Sequence, residues 1–366
     1  MSRVALLGVR GVPNRYGGFE RLVEVLAPHL ARLGHEVTVY CEGGRQPPAD
    51  DLWQGVRRRF IRVGAAGPRG TLAYDARAFA DVGPGSVALV FGYGSAVYQA
   101  LLRRRGVPHA VNMDGLEWQR EKWGLAARSW LRLNERVAAR LADRLVADHP
   151  VIQQDLAQRL GARSTMIAYG VDPVPPPDGE PPLPGLVPQG YLLAIARPEP
   201  ENQLHLLLQA HEIAGGPPLV VVGDFGSNDY GRQLVARHPG ARFVGPLYDK
   251  PLLDRLRGHC RLYLHGHRVG GTNPSLIEAM AAGAAVLAHD NPFNRWVLGD
   301  GGGWTFRGLD DLVGRLREPP SPDACEAAGR HARARCLAQF RWADILGAYA
   351  RLVDELQSCI SVRVRS

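Results

Sequence analysis

The stretch that decides the fold is Arg261-Leu262-Tyr263-Leu264-His265-Gly266-His267-Arg268-Val269-Gly270-Gly271-Thr272-Asn273-Pro274-Ser275-Leu276-Ile277-Glu278-Ala279-Met280. Arg261–Leu264 is an apolar run that reads as a short strand. Two adjacent glycines follow, then small polar residues, then a helix start. Ser275 reads as the N-cap, and Ser275 with Glu278 fits a capping box. The helix is expected to end at Gly283, and Ala285-Val286-Leu287-Ala288 is the next strand. A glycine-rich loop feeding a helix N-terminus presents free N–H groups and about half a positive charge. Such a terminus holds a phosphate without a dedicated cation. Taken alone, the stretch also fits an ordinary strand–loop–helix connection, in which Glu278 is only the capping partner.

The opening of the chain repeats the theme. Val4-Ala5-Leu6-Leu7 is fully apolar, as a strand buried in a parallel sheet should be. It runs into Gly8-Val9-Arg10-Gly11-Val12-Pro13-Asn14-Arg15-Tyr16-Gly17-Gly18-Phe19-Glu20. The spacing is not that of the G-x-G-x-x-G dinucleotide fingerprint, which argues against a nicotinamide dehydrogenase. Gly17 and Gly18 stand at a helix start, where they serve either as a tight turn or as an anion cradle. The helix carries apolar residues at 19, 22, 23, 26, 30 and 33, a 3.6-residue period, with Pro28 as an internal kink candidate. Gly34 stops it, and Val37-Thr38-Val39-Tyr40 is the second strand, giving a βαβ opening of Rossmann type. Further strands are expected at Arg59–Val63, Val87–Phe91 and His109–Asn112. The last of these delivers Asp114 to the carboxyl end of a sheet, where ligands gather but where an Asp-Gly pair also makes turns.

From Trp118 to Arg144 the sequence reads as helix. Arginines at 128, 132, 136, 140 and 144 recur every fourth residue among Trp118, Trp123 and Trp130. They form either a solvated face over an apolar stripe or a surface for anionic lipid, with the tryptophans at headgroup depth. Composition then shifts: Pro173 to Pro188 contains eight prolines, the mark of a semi-rigid linker. Beyond it the strand–loop–helix logic returns. Tyr191–Ile195 leads to Ala196-Arg197-Pro198-Glu199-Pro200-Glu201-Asn202, then come helix 203–213, strand Leu219–Val222 and Arg242-Phe243-Val244. The expected architecture is α/β, with two Rossmann-like parallel-sheet domains facing a ligand cleft. Their expected bounds are 1–172 and 190–340, with a linker at 173–189. A C-terminal helix, 341–366, has Trp342, Ile345, Leu346, Tyr349, Leu352, Val353 and Leu356 as one apolar face, and its tail from Ser361 is expected to fray.

Length and composition agree with a two-domain globular protein: 366 residues, 45% hydrophobic and 22% charged. No apolar run reaches bilayer-spanning length, and the N-terminus enters a strand without a signal peptide's apolar region. Five cysteines, at 41, 260, 325, 336 and 359, form neither a disulfide framework nor a zinc spacing. The expected setting is reducing and cytoplasmic, at or near the inner face of the plasma membrane. The net charge of +8 favours anionic partners. No zinc finger, RNA-recognition signature or basic zipper points to nucleic acid.

These motifs resemble glycosyltransferase family 4. The resemblance lies in Gly8-Val9-Arg10-Gly11-Val12-Pro13 with Arg15–Glu20, Met113–Trp118 with Lys122-Trp123-Gly124, Ala196–Asn202, and His265–Met280. It is closest to the subgroup containing rhamnosyltransferases of bacterial polysaccharide synthesis, and it runs from about residue 3 to 350. The resemblance implies the GT-B architecture, with the donor on the C-terminal domain and the last helix crossing back to the N-terminal one. It implies retaining transfer without a metal, and no Asp-x-Asp motif follows an apolar strand here. The leaving diphosphate is then neutralised by helix N-termini and basic side chains.

By the same resemblance, Glu278 accepts hydrogen bonds from ribose hydroxyls. Arg197 and the backbone of Gly270, Gly271, Thr272 and Asn273 hold the diphosphate, assisted by Gly17 and Gly18. The segment Val244–Leu247, including Gly245, borders the base. Asp114 stands where many relatives have a sugar-contacting histidine, and it is expected to hold sugar hydroxyls or stabilise the oxocarbenium-like transition state. The departing phosphate takes the acceptor's proton. Two positions depart from the wider family: Gly270 replaces the first glutamate of a Glu-x7-Glu pair, and Asn202 replaces a lysine. Arg10, Arg15 or Arg268 would then supply the missing charge. The expected donor is a nucleotide-diphosphate sugar, dTDP-rhamnose by subgroup resemblance. The expected acceptor is a lipid-linked glycan, a polysaccharide or a small molecule. A sugar-nucleotide 2-epimerase and a catalytically silent nucleotide-sugar-binding scaffold are the competing readings.

Overall fold

The computed structural model describes residues 2–14, 17–64, 67–120 and 123–363, with side chains to residue 360. The expectations for Arg15, Lys122 and the tail side chains from Ser361 lie outside the described residues. The chain divides into two compact units. One comprises residues 1–118, 123–169 and 343–366; the other comprises 119–122 and 170–342.

The first unit contains β1 (Arg3–Leu7), α1 (Gly18–Arg32), β2 (Glu36–Glu42), β3 (Asp51–Trp53), β4 (Val56–Ile61), α2 (Gly67–Asp81), β5 (Ser86–Phe91), α3 (Gln99–Arg104), β6 (His109–Asn112), α4 (Leu125–Leu141), β7 (Arg144–Ala147), α5 (Pro150–Leu160) and β8 (Thr165–Met166). Its sheet runs β3-β4-β2-β1-β5-β6-β7-β8. Every pairing is parallel except β3 with β4. β5, Ser-Val-Ala-Leu-Val-Phe, is buried at all six positions, because helices cover both faces of a parallel sheet. Helix α1 buries Leu22, Val23, Leu26, Ala27 and Leu30 on one face and runs unbroken through Pro28. The chain leaves β1 at Gly8 with φ +83, where a Cβ would lie 2.2 Å from the carbonyl oxygen of Phe91. Only glycine permits that crossing beside β5.

The second unit contains β9 (Leu192–Ile195), α6 (Leu204–Ala214), β10 (Leu219–Val222), α7 (Asp229–Arg237), β11 (Arg242–Phe243), α8 (Lys250–His259), β12 (Leu262–His265), α9 (Pro274–Ala281), β13 (Val286–His289), α10 (Pro292–Leu298), β14 (Gly303–Phe306), α11 (Leu309–Arg317) and α12 (Pro322–Gln339). The all-parallel sheet has the order β11-β10-β9-β12-β13-β14. Counted within the unit, that is the 3-2-1-4-5-6 order of a dinucleotide-binding fold. One sheet face, with Leu192, Ala194, Leu262, Leu264 and Leu287, joins Leu204, Leu207, Leu208 and Leu312 in a core. Behind the site, α12 lies against the end of α9. A Cβ on Gly329 would come 2.1 Å from the carbonyl oxygen of Gly283.

Three sequence expectations change. The helix expected over 118–144 is a short 3-10 turn, Glu117–Gln119, followed by α4. Ala142 turns extended, and the Asp143 amide bonds the His109 carbonyl, so Arg144 begins a strand instead of extending the arginine row. The proline-rich segment 173–189, expected as a linker, belongs to the second unit. Its carbonyls are taken by side chains of that unit: Pro184 by Arg242 at 2.8 Å, Glu180 by Arg255. The helix cap near Ser275 also moves, as described below.

The last helix, α13 (Trp342–Arg363), contributes everything after Trp342 to the first unit. Tyr349, Leu352, Val353 and Leu356 are buried. Asn112 Nδ2 donates to the Tyr349 hydroxyl at 2.8 Å, and the Phe91 and Tyr349 rings lie 6.2 Å apart. Removing that hydroxyl leaves a buried amide donor without its partner. Tyr349→Phe is therefore expected to cost about 1–3 kcal/mol, read as a lowered midpoint in urea unfolding with an unchanged slope.

Candidate active site

In the second unit the connections leave β9 and β12 in opposite directions, so a crevice opens at their carboxyl ends. Two loops line it, 196–203 after β9 and 266–273 after β12. They are locked together: the Arg268 amide donates to the Glu201 carbonyl at 3.0 Å, and a Cβ on Gly266 would lie 2.5 Å from the Asn202 carbonyl oxygen.

Of the expected site residues, Arg197, Asn202, Gly270, Gly271, Thr272, Asn273 and Glu278 share this unit and this end of the sheet. The Arg197 side chain is 62% exposed, 3.7 Å from Glu199, and it presents its guanidinium to solvent. Asn202 is buried, and its Nδ2 donates to the Arg197 carbonyl at 2.9 Å. It braces the loop that carries Arg197. The N-cap of α9 is Asn273 and not Ser275: the Asn273 side chain accepts from the Ser275 amide at 3.0 Å. Pro274 at the first helical position has no N–H to satisfy. Ser275 instead donates its hydroxyl to the Ile195 carbonyl at 3.0 Å and contacts the Tyr263 hydroxyl, tying α9 to both central strands. Among the described residues, the amides of Gly270 and Gly271 donate no hydrogen bond. Gly270 adopts φ +156, a conformation that L side chains rarely take.

Glu278 is not a capping-box partner. Its Oε2 accepts from Arg257 Nη2, and Arg257 Nη1 also reaches Asp254 at 3.1 Å. Arg257 is only 2% exposed, so the pair is a buried brace that aims the half-buried Glu278. Nothing in the sequence of α8 marks Arg257 for this role. Gly245 follows β11 with φ +54, and its carbonyl accepts from the Gly223 amide at 3.1 Å.

Asp114, Gly17 and Gly18 belong to the first unit. Asp114 follows β6 with φ +54, and its carboxylate accepts from the Gly115 amide at 2.8 Å, an Asp-Gly turn at the sheet's carboxyl end. Gly17 caps α1 with extended backbone. The Glu20 carboxylate accepts from the Arg10 amide at 3.1 Å, so a negative charge already stands near this helix start. Arg10 itself lies 3.5 Å from Glu42.

Sequence reasoning passed over two histidines inside its own motif. His265 and His267 are two apart at a strand end, which puts their side chains on one face. Their rings stack 4.3 Å apart at 10°. Burial, then His267 and His289, holds the His265 imidazole well below its ordinary range. Burial, then Arg197 and Arg120, lowers His267 to about 3, and Glu199 opposes them. Burial and the neighbouring Glu199 push the Glu201 carboxyl up. A separate cavity of about 270 Å³ lies at the opposite, amino-terminal edge of the first sheet, lined by Arg3, Glu36, Arg59 and Asp81 among others. There Arg59 and Asp81 are paired at 3.0 Å, so the cavity is ion-paired and away from the ligand edge.

Comparison with solved structures assigns the fold. Sucrose-phosphate synthase from Thermosynechococcus elongatus superposes with a TM-score of 0.81 at 18% identity, over 98% of this chain and 100% of that one. HepE of Anabaena, in complex with UDP-glucose, gives 0.74 at 16% identity, over 97% and 100%. The α,α-trehalose 6-phosphate synthase of Burkholderia multivorans gives 0.72 at 13%, over 100% and 99%. The fold is GT-B. Residues 16–174 match the family model Glycosyltransferase Family 4, so the N-terminal part of the chain carries that domain. The domain match makes the chain an enzyme of the glycosyltransferase class. No curated protein sequence matches the chain. No helix among the described residues is long and apolar enough to cross a membrane.

The depressed histidines set a pH dependence. Below about pH 6.5 the unfolded chain takes up protons on His265 and His267 that the folded chain excludes, so stability falls with falling pH. The loss runs from pH 6.5 down through the folded value of about 3 for His267. Urea unfolding between pH 7 and 4 should show a steeper decline for the natural chain than for His267→Gln. Equal slopes would mean that the ring titrates normally.

Proposed function

We propose that the chain transfers a hexose or deoxyhexose, with rhamnose favoured, from a nucleotide-diphosphate sugar to a lipid-linked glycan or polysaccharide. The transfer retains anomeric configuration and uses no metal. The observation that carries this reading is the crevice at the β9/β12 junction. It gathers an exposed Arg197, two unbonded glycine amides before α9, and Glu278 aimed by a buried arginine. In this reading Arg197 and the Gly270–Gly271 amides take the charge that develops on the leaving diphosphate. Arg257 fixes Glu278 Oε2, and Oε1 accepts from the ribose hydroxyls. The departing phosphate accepts the acceptor's proton, so no side-chain base is required. The UDP-glucose in the HepE structure supports a nucleotide sugar as donor. The rhamnose preference rests on the subgroup resemblance.

Thermal shift with saturating dTDP, UDP and GDP and their common sugars, with and without magnesium, tests the reading. One nucleotide is expected to raise Tm clearly, with the same shift in both conditions. A dependence on magnesium would overturn the metal-free mechanism, and silence from every nucleotide would make the scaffold reading the better one. Free nucleotide released only in the presence of an acceptor separates transfer from epimerisation.

Glu278→Ala is expected to lower kcat/KM at least a hundredfold, with the far-UV circular dichroism unchanged. Near-normal transfer by that variant would remove Glu278 from the mechanism.

An anionic membrane surface suits the acceptor. Helix α4 exposes Leu125 (83%), Leu133 (50%) and Trp130 (37%), with Arg132, Arg136 and Arg140 also exposed. Apolar groups among cations match an interface of acidic headgroups. Co-sedimentation with vesicles should rise steeply with phosphatidylglycerol content and fall with added salt; binding indifferent to lipid charge would contradict this assignment.

A further inference from the structure

The histidine stack at the end of β12 is held from behind and unmatched in front. Asn291 and Asn294 each donate a side-chain amide to the His267 carbonyl at 3.0 Å, and the next amide, of Arg268, is bonded to Glu201. The backbone at this point is fixed three times over. The rings are not. His265 is 1% exposed, and neither Nδ1 nor Nε2 has a hydrogen-bond partner among the described residues. His267 Nδ1 is likewise buried without one. Below them Tyr263 stacks on His265 at 6.2 Å, its hydroxyl already engaged by Ser275 and by the Ile195 carbonyl.

Buried polar atoms are ordinarily satisfied, and each exception calls for a partner. The chemistry of these atoms says which partner. The groups facing the rings are Arg197, Arg120, His289 and Glu199; burial with Arg197, Arg120 and His289 keeps both rings neutral against the opposing Glu199. A neutral imidazole offers one donor and one acceptor. A phosphate oxygen or a carboxylate only accepts, and it matches half of that pattern. A hydroxyl both donates and accepts, and it matches all of it. In the loop that follows, nothing lies within 4 Å of a Cβ placed on Gly270.

We propose that His267, supported by His265 beneath it, reads hydroxyl groups on the sugar of the donor. This rests on the nucleotide-sugar reading above and assigns a sugar contact within it. His267 is the contact, and His265 is a positioning residue that holds the ring plane. The assignment accounts for Gly270: with the hydroxyls read by a neutral ring, the 266–273 loop needs no glutamate at that position.

The test is titration calorimetry with paired probes, UDP against UDP-glucose and dTDP against dTDP-rhamnose, on the natural chain and on His267→Phe. Phenylalanine keeps the stack and removes both ring nitrogens. The natural chain is expected to bind one sugar-bearing probe at least tenfold more tightly than its bare diphosphate. In the variant the bare diphosphate should bind within twofold of the natural chain, while the advantage of the sugar form disappears. His265→Phe is expected to shrink the same ratio without changing bare-diphosphate affinity. If His267→Phe does not fold, His267→Gln is judged by the same ratio. An unchanged ratio, or an equal loss for both probes, overturns the proposal and leaves the nucleotide-sugar reading standing. A natural chain that binds neither diphosphate nor sugar form overturns both.

Discussion

A guanidinium that is 2% exposed cannot be left without counter-charges, and Arg257 has two, Asp254 on its own helix and Glu278 on the next. Breaking a buried pair of this kind costs several kcal/mol, because the surviving charge stays uncompensated. The geometry of the second unit follows from that constraint. Helix α8 must lie where Arg257 meets α9, and Glu278 must present its remaining oxygen in one direction. The N-terminus of α9 is then fixed against the ends of β9 and β12 by Ser275 and the Ile195 carbonyl. Glu278 and the start of α9 owe their placement to interactions within the second unit.

The same division of labour runs through both loops. Asn202 spends its amide on the Arg197 carbonyl, Asn291 and Asn294 on the His267 carbonyl, and Asn273 on the Ser275 amide. Short neutral amides brace backbone, and the neighbouring Arg197 is left exposed. Asn202 supplies no charge, yet without it the loop carrying Arg197 would lack its cross-link.

Much of this could be read from the sequence because parallel strands and glycine loops leave strong local marks. Val87–Phe91 and Leu219–Val222 are uniformly apolar and are strands; the linear motif 265–280 is the strand, loop and helix it looked like. What the sequence did not disclose are relations across the fold. Ser275 fits a capping box by spacing, but its hydroxyl finds a strand carbonyl eighty residues earlier, and Asn273 takes the cap. Arg257 looks like any cation on an amphipathic helix until Glu278 is seen opposite. The prolines of 173–189 say only that the segment is neither helix nor inner strand; arginines 242 and 255, far along the chain, hold it to the second unit. The absence of a carboxylate at Gly270 was visible, whereas its φ of +156 was not.

The hydrogen bond between Asn112 and Tyr349 joins residues 237 positions apart. Its consequence concerns synthesis. The first unit is completed by helix α13, synthesised after the second unit, which apart from the short segment 119–122 is one continuous stretch ending at Trp342. The usual amino-terminal-first order of maturation is therefore inverted for this chain. The second unit can close while the first still waits with Phe91 and Asn112 uncovered. A ribosome stalled before residue 343 releases a protein whose second unit is whole and whose first unit exposes a sticky apolar seam to chaperones and proteases.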